Sequence, residues 1–179
     1  MNLFDLTGQT AVVIGVNSKL GRVMAIALAG HGAKVAVAGR NLETAETVKQ
    51  KIEQAGGTAK TFQVDVTEKA QIEALQKDVL DWTGQVDILL NCPGVNSSTP
   101  FFEIEMEEFD HIMDVNLKSV VLACQIFGKQ MVEAGKGGSI INISSVSSEP
   151  PLSKVFTYSA SKAAVDNITK FLAQEFAPA

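Results

Sequence analysis

The stretch Thr10–Gly21, TAVVIGVNSKLG, decides the fold. Its first six residues, TAVVIG, form a short apolar run that ends in glycine, and such a run predicts a buried strand. Small and apolar residues then recur from Leu20 to Gly30, LGRVMAIALAG, and predict a helix. A strand, a glycine-containing turn and a helix in immediate succession form the first half of a β-α-β unit.

The same alternation of strand and helix continues along the chain. Further strands are predicted at 34–39, 59–64, 86–90 and 139–143, and further helices at 42–55, 68–82, about 106–134 and 157–176. The strand segments are short and almost wholly apolar, which suits strands covered by helices on both faces of a parallel sheet. Five such units in series predict an α/β fold, a doubly wound Rossmann-like sheet flanked by helices, in one domain spanning 1–179.

Composition and charge narrow the class of protein. The 179 residues carry a net charge of −5, which argues against a nucleic-acid partner because phosphates favour basic surfaces. No apolar run is long enough for a membrane helix, and the N-terminus lacks the pattern of a signal peptide. Cys92 and Cys124 are too few for a disulfide framework or a zinc site, and no metal cluster is evident. We expect a reduced, cytoplasmic protein without a membrane or nucleic-acid partner.

The loop Gly15–Gly21 lies between the first strand and the first helix, where dinucleotides bind in this fold. Gly15 permits a tight turn, and Gly21 lets the backbone approach a pyrophosphate that the helix N-terminus attracts. Lys19 could reach a phosphate as a point charge. The alternative is an ordinary turn, since glycines at strand ends are common.

The end of the second strand bears on the choice of cofactor. Enzymes that use NAD usually place a carboxylate there to hold the ribose hydroxyls, but this chain has Gly39-Arg40-Asn41. Arg40 could instead pair with a 2′-phosphate, and with Lys19 it favours NADP over NAD. The alternative is a solvated arginine that contacts no ligand.

Tyr158, the only tyrosine, is followed four residues later by Lys162 on the same helix face. A nearby ammonium group favours the phenolate and lowers the pKa of the tyrosine, which suits proton transfer to or from a carbonyl oxygen. Ser145 adds a hydroxyl at the carboxyl end of the fifth strand, and Asn116 lies in a helix where asparagine has poor propensity. Without this context, a helix tyrosine beside a solvated lysine is the alternative.

Taken together, these motifs resemble those of the short-chain dehydrogenase/reductase family from about Leu6 to the last residue. The features shared with that family are the Gly15–Gly21 loop, Asp65 in VDVT, Asn91-Cys-Pro-Gly94, Asn116 in VNLKS, Ser145 in NISS and Tyr158-Ser-Ala-Ser-Lys162. The gap of 13 residues between Ser145 and Tyr158 also looks like the family's usual spacing.

The resemblance implies four catalytic roles. Tyr158 would be the general acid/base, and Lys162 would lower its pKa and bind the nicotinamide ribose. Ser145 would hydrogen-bond the substrate oxygen. Asn116 would anchor a water in a proton relay that reaches Lys162.

The resemblance also implies a cofactor site. Asp65 and Val66 would contact the adenine, and the backbone near Asn91 and Gly94 would line the cleft. The other cofactor-binding residues would be Gly15, Asn17, Ser18, Lys19, Leu20, Gly21, Arg40, Tyr158 and Lys162.

The sequence departs from the family pattern in the cofactor region. Ile14-Gly15 replaces the usual Thr-Gly, and Lys19 replaces the middle glycine of the loop. If position 19 needs a positive φ, lysine is costly there. Pro93 removes a backbone N–H where the family has Asn-Asn-Ala-Gly.

A further departure concerns length. The chain ends directly after the helix that carries Tyr158, whereas relatives continue with further strands and a substrate lid. We therefore expect a C-terminally truncated member that lacks the last strands of the family, with the fifth strand exposed as a sheet edge. The resemblance also implies a homo-oligomer, a dimer or tetramer, that pairs through the helices around Asn116 and Tyr158.

Three functions fit the sequence. The first is an NAD(P)-dependent oxidoreductase, with NADP favoured, that acts on a small alcohol or ketone of the sugar-acid or 3-oxoacyl type. The second is a module that binds a dinucleotide without turnover, and the third is an inactive fragment. The full set of catalytic residues favours the first function. Lys19 and the short C-terminus favour the second, and the short C-terminus alone favours the third.

Overall fold

The computed structural model describes residues 3–150 and 152–177. Five parallel strands form one sheet: β1 is Thr10–Ile14, β2 Lys34–Gly39, β3 Thr58–Gln63, β4 Ile88–Asn91 and β5 Ser139–Asn142. Six α-helices follow or connect them: α1 is Lys19–Gly30, α2 Leu42–Gln54, α3 Lys69–Thr83, α4 Met106–Met113, α5 Ser119–Ala134 and α6 Phe156–Phe176. Short 3-10 turns lie at Phe101–Glu103 and Val146–Ser148.

The strand order in the sheet is β3-β2-β1-β4-β5. The chain moves outward from β1 to β3, returns to β4 on the other side of β1 and continues to β5, which is the doubly wound arrangement predicted from the sequence. The reversal lies between β1 and β4, where Ile14 is the register partner of Asn91. The carboxyl ends of these two strands therefore flank the crevice where ligands bind in open α/β sheets.

Helices cover both faces of the sheet. One apolar cluster joins the strands to α3 and α5 through residues such as Ile72 and Phe127. A second joins the opposite face to α1 and α2 through residues such as Ala25 and Val48. The helix α6 packs on α5 through Val165 and Cys124. Within the described ranges, no helix combines the length and apolarity needed to cross a membrane.

The helix predicted at about 106–134 is interrupted in the middle. Residues Asp114–Lys118 form a π-helical turn between α4 and α5, and the N–H of Ser119 donates to the carbonyl of Asp114, five residues earlier. The backbone stays helical throughout, so the segment is one continuous rod with a single wide turn. Asn116 lies within this turn and is fully buried.

Candidate active site

The loop between β1 and α1 can be built only with glycine at two positions. Gly15 has φ +98°, and a Cβ added there would overlap the backbone of Cys92 and lie 2.8 Å from Pro93 N. A Cβ on Gly21 would lie 2.5 Å from the carbonyl oxygen of Gly15. The loop therefore packs backbone against backbone, as a phosphate-binding turn requires.

Ser18 caps the helix that follows this loop. Its hydroxyl accepts a hydrogen bond from Gly21 N at 2.9 Å and donates to the carbonyl of Gly15 at 3.0 Å. Arg22 adds hydrogen bonds from its guanidinium to the carbonyls of Ser18 and Asn17. The loop conformation is thus fixed by its own side chains, and the positive end of the α1 dipole lies beside it.

Lys19 is the first residue of α1 and carries no strain. Within 3–150 and 152–177, Lys154 is the only non-glycine residue with a positive φ, so the cost foreseen for a lysine at position 19 does not arise. Lys19, Leu20 and Asn17 are all exposed. Because Lys19 lies in the first turn of α1, its ammonium group is free to approach an anion at the helix N-terminus.

Arg40 directly follows β2 and is exposed. Its carbonyl accepts a hydrogen bond from the Gln63 side chain at 3.1 Å. In the described part of the chain, the guanidinium of Arg40 forms neither a hydrogen bond nor a salt bridge. It is available to an anionic ligand at the carboxyl end of β2.

Asp65 and Val66 follow β3, but the Asp65 carboxylate serves the local turn. It accepts hydrogen bonds from Thr67 N at 3.0 Å and from the Thr67 hydroxyl at 2.8 Å. These hydrogen bonds, with a smaller contribution from the charge of Arg40, lower the pKa of Asp65. Val66 is buried in the core beneath this turn.

The side chain of Asn91 points into the protein and away from the crevice. Its amide donates to Asn142 Oδ1 at 2.9 Å, and the amide of Asn142 donates in turn to the Thr169 hydroxyl at 2.9 Å. Cys124 lies within 3.6 Å of both asparagine side chains. Asn91 thus ties β4 to β5 and α6, and it can reach a ligand only through its backbone.

Lys162 lies at the centre of the candidate site. Its side chain is buried, and its ammonium group donates to the carbonyl of Ile143 at 2.9 Å and to that of Pro93 at 3.4 Å. The same ammonium lies 5.9 Å from the centre of the Tyr158 ring. Burial lowers the pKa of Lys162. The lysine predicted to assist Tyr158 is therefore held beneath it, between the ends of β4 and β5.

Gly94 lies next to this lysine. A Cβ on Gly94 would stand 4.0 Å from both Lys162 Nζ and Asn116 Oδ1. The Asn116 amide holds the backbone of Val95 at both its N–H and its carbonyl, at 2.8 and 2.9 Å, and donates to the Ser161 hydroxyl at 3.1 Å. Gly94, Asn116 and Lys162 thus form one cluster at the carboxyl end of β4.

Ser145 is positioned by a serine that the sequence analysis missed. The hydroxyls of Ser145 and Ser147 lie 3.0 Å apart, and Ser147 N donates to Ser145 Oγ at 3.2 Å. Ser147 is buried, whereas Ser145 is half-buried and follows β5 by three residues. The repeated serines of SSVSS were the available signal. The 3-10 turn that contains Ser147 packs against α6, the helix of Tyr158.

The residues present fit a dinucleotide cofactor. The loop leaves no space for side chains at Gly15 and Gly21, a helix N-terminus faces it, and Lys19 and Arg40 offer unpaired cations at its side. The described residues contain no group of three or more side chains suited to a metal ion. The parallel sheet, the crevice at its chain reversal and the Tyr158–Lys162 pair are the features that the sequence predicted for a dinucleotide-binding protein.

The comparisons with known proteins agree. The family model described as short chain dehydrogenase matches residues 9–179, and the chain belongs to that family. A D-threitol dehydrogenase from Mycolicibacterium smegmatis is 35% identical over 97% of this chain and 66% of its own length. A gluconate 5-dehydrogenase from Gluconobacter oxydans is 33% identical over 98% of this chain and 68% of its own length.

Solved structures give the same result. A short-chain type dehydrogenase/reductase from Mycobacterium marinum superposes with a TM-score of 0.94 at 36% identity, covering 98% of this chain and 72% of the other. A metagenomic short-chain oxidoreductase in complex with NADP gives 0.92 at 33% identity, covering 97% and 78%. The chain spans about two thirds of the length of these curated relatives.

Proposed function

We propose that this chain carries the cofactor-binding and catalytic residues of an NADP-dependent oxidoreductase that interconverts a small alcohol and its ketone or aldehyde. The observation that carries the proposal is the position of Lys162. Its buried ammonium lies between the ends of β4 and β5, one helical turn from Tyr158 and beside Gly94. Burial of an ammonium group remains costly even with the two carbonyl hydrogen bonds that Lys162 forms, and a role in the chemistry accounts for a lysine at this buried position.

A nicotinamide cofactor held by the loop Gly15–Gly21 would supply hydride-transfer chemistry at the alcohol carbon. In the oxidation direction, the Tyr158 oxygen takes the hydroxyl proton from the same alcohol, so the C–H and O–H bonds break and a C=O bond forms. The ammonium of Lys162, 5.9 Å from the centre of the Tyr158 ring, stabilises negative charge on that oxygen during the proton transfer. In the reduction direction Tyr158 returns the proton to the oxygen.

Ser145 and Asn116 complete the proposed site. The Ser145 hydroxyl, held by Ser147, donates to the reacting oxygen and steadies the charge that develops there. Asn116 fixes Val95 and Ser161 around Lys162, so its direct hydrogen bonds support the site's geometry. A water relay through the neighbourhood of Asn116 remains part of the proposal.

Arg40 and Lys19 favour NADP over NAD. Both side chains are exposed and form no hydrogen bonds or salt bridges among the described residues. Arg40 directly follows β2 and Lys19 begins α1 after the β1 loop, where ribose and phosphate groups bind in this fold. The relative solved with NADP is consistent with this preference. The names of two relatives, a D-threitol dehydrogenase and a gluconate 5-dehydrogenase, support a small polyol or sugar acid as substrate.

Substitution of Tyr158 by phenylalanine tests the proposal. The ring and its packing remain, while the proton-transferring hydroxyl is lost. With polyols and sugar acids as trial substrates, we expect turnover to fall by about 10²–10⁴-fold while the dissociation constant for NADPH changes little. NADPH binding by the wild-type chain without turnover of any substrate would favour the binding-module alternative. Absence of cofactor binding would overturn the proposal.

A further inference from the structure

The segment 95–99 after β4 is held by side chains alone. It follows Gly94, beside Lys162, and contains no helix or strand. Within the described ranges, no backbone-to-backbone hydrogen bond involves residues 94–99. Its position next to the proposed site therefore depends on hydrogen bonds from side chains of other segments.

Two side chains hold this segment, one at each end. Asn116 binds both backbone groups of Val95. At the other end, Glu108 accepts the Ser97 hydroxyl on Oε1 and the Thr99 hydroxyl on Oε2, each at 2.7 Å. Ser97 and Thr99 are two residues apart, so in an extended chain their side chains point the same way. Both can therefore reach one carboxylate.

The spacing of the two anchors matches an extended segment. Asn116 and Glu108 are eight residues apart on one continuous helical rod, which corresponds to about 12 Å at the helical rise. Four residue steps of extended chain from Val95 to Thr99 span about 13 Å. The segment therefore runs antiparallel to α4 and is nearly fully extended between its two anchors. Loss of either anchor would free the segment to adopt other conformations.

Glu108 is suited to this role as a carboxylate. A charged carboxylate only accepts hydrogen bonds and can take a hydroxyl on each oxygen. The hydroxyls of Ser97 and Thr99 lower its pKa, which keeps the group ionised. In the described part of the chain it forms no salt bridge, so its hydrogen bonds to the segment are its evident function.

We propose that Glu108 is a positioning residue that holds the segment 95–99 against the mouth of the site formed by Gly94, Lys162 and Tyr158. This rests on the proposed function for its effect on catalysis, while the anchoring itself does not. Glu108 touches neither cofactor nor reacting atoms. Its loss should loosen the wall of the site without removing a catalytic group.

Backbone ¹⁵N relaxation tests the anchoring in the full chain. We expect Glu108→Ala to lower the order parameters of residues 96–99 from about 0.85 to below about 0.6, with β4 and α5 unchanged. Glu107→Ala removes the same charge from an exposed neighbour without these bonds and should leave the segment as in the wild type. The double substitution Ser97→Ala with Thr99→Val should lower the order parameters equally, and adding Glu108→Ala to it should lower them no further. Equal order parameters in Glu108→Ala and Glu107→Ala would overturn the anchoring.

Kinetics tests the consequence for the site. We expect Glu108→Ala to raise the KM of the alcohol substrate by about tenfold, with a smaller change in kcat and an unchanged affinity for NADPH. Lower order parameters at residues 96–99 with an unaltered KM would overturn the positioning role. If the wild-type chain shows no turnover, the proposed function fails. The order parameters of residues 96–99 in the presence of NADPH then decide the positioning role: they should stay high in the wild type and low in Glu108→Ala, and equal values would overturn it.

Discussion

Gly15 and the carbonyl group of Cys92 are in direct contact across the crevice between β1 and β4. The positive φ of Gly15 turns its α-carbon toward this carbonyl, and no space is left for a methyl group. The ends of β1 and β4 are thus in close backbone contact at the point where the cofactor is proposed to bind. Any side chain at position 15 must separate them.

We predict that Gly15→Ala impairs both folding and cofactor binding. Gly8 provides a matched control, because it has a similar φ of +86° but open space around its α-carbon. Gly8→Ala should cost roughly 1–2 kcal/mol in the free energy of unfolding through backbone strain alone. Gly15→Ala should cost clearly more and weaken NADPH binding as well. Urea denaturation and a fluorescence titration measure the two effects, and equal losses in both variants would contradict the steric argument.

Arg40→Ala should weaken NADPH binding by about tenfold or more and leave NADH binding nearly unchanged. The reason is that a 2′-phosphate loses a charge-assisted hydrogen bond of about 1.5–3 kcal/mol, whereas a ribose hydroxyl loses little. Lys51→Ala, an exposed cation on α2, controls for the change in net charge. Calorimetric titration of each variant with NADPH and with NADH measures the two affinities. A parallel loss for NADPH and NADH would show that Arg40 does not read the phosphate.

The Asn91–Asn142–Thr169 chain of hydrogen bonds should contribute measurably to stability. Thr169→Val keeps the shape of the side chain but leaves the Asn142 amide without its acceptor, a loss of about 1–3 kcal/mol. Thr47→Val is the control, because that exposed hydroxyl bonds only to a carbonyl of its own helix. Chemical denaturation of both variants gives the comparison. Losses of similar size would mean that the network adds nothing beyond an ordinary helix threonine.

Cys124 should make the protein less stable at alkaline pH. Burial raises the pKa of its thiol to about 11 from an ordinary value of 9.0. The unfolded chain therefore loses this proton before the folded chain does, and the free energy of unfolding falls as pH rises between these two values. The slope from one such group approaches about 1.4 kcal/mol per pH unit.

Unfolding experiments at pH 8 to 11 on the wild type and Cys124→Ala should separate this contribution. The variant should show the shallower decline. Val120→Ala, which shortens another buried side chain of α5, should keep the wild-type slope. Parallel pH profiles in all three proteins would show that the thiol does not titrate differently on folding.

The sheet could be predicted because its strands are short apolar runs separated by helices. The alternation of strands and helices predicted a doubly wound sheet, and the structure confirms it. The start of β4 differs from the predicted one because a side chain there takes the place of a backbone hydrogen-bond acceptor. The predicted strand at 86–90 begins at Ile88, and the Asp87 carboxylate before it accepts the N–H of Thr10 at 2.7 Å. This hydrogen bond joins residues 77 positions apart in the chain, so the periodicity of the sequence does not indicate it.

The candidate site was only partly predictable for the same reason. Lys162 was found because Tyr158 is its neighbour on one helix. The contact of Lys162 with the carbonyl of Ile143 and the anchoring of Ser97 and Thr99 by Glu108 both join separate segments. No spacing within a single helix or strand indicates them. The roles of the cofactor-binding residues remain predictions.

The wide helical turn at Asp114–Lys118 also restricts changes in chain length. A π turn holds one residue more than an α turn, so this turn accommodates an extra residue while α4 and α5 keep their relative rotation. A residue inserted into the regular helix on either side of it would instead rotate α4 against α5 by about 100°. Since α5 is fixed on the sheet by residues such as Phe127, the rotation would fall on α4. Glu108 would then face away from Ser97 and Thr99. Insertions in the regular helix beside this turn should therefore be far more damaging than loss of the one extra residue within it.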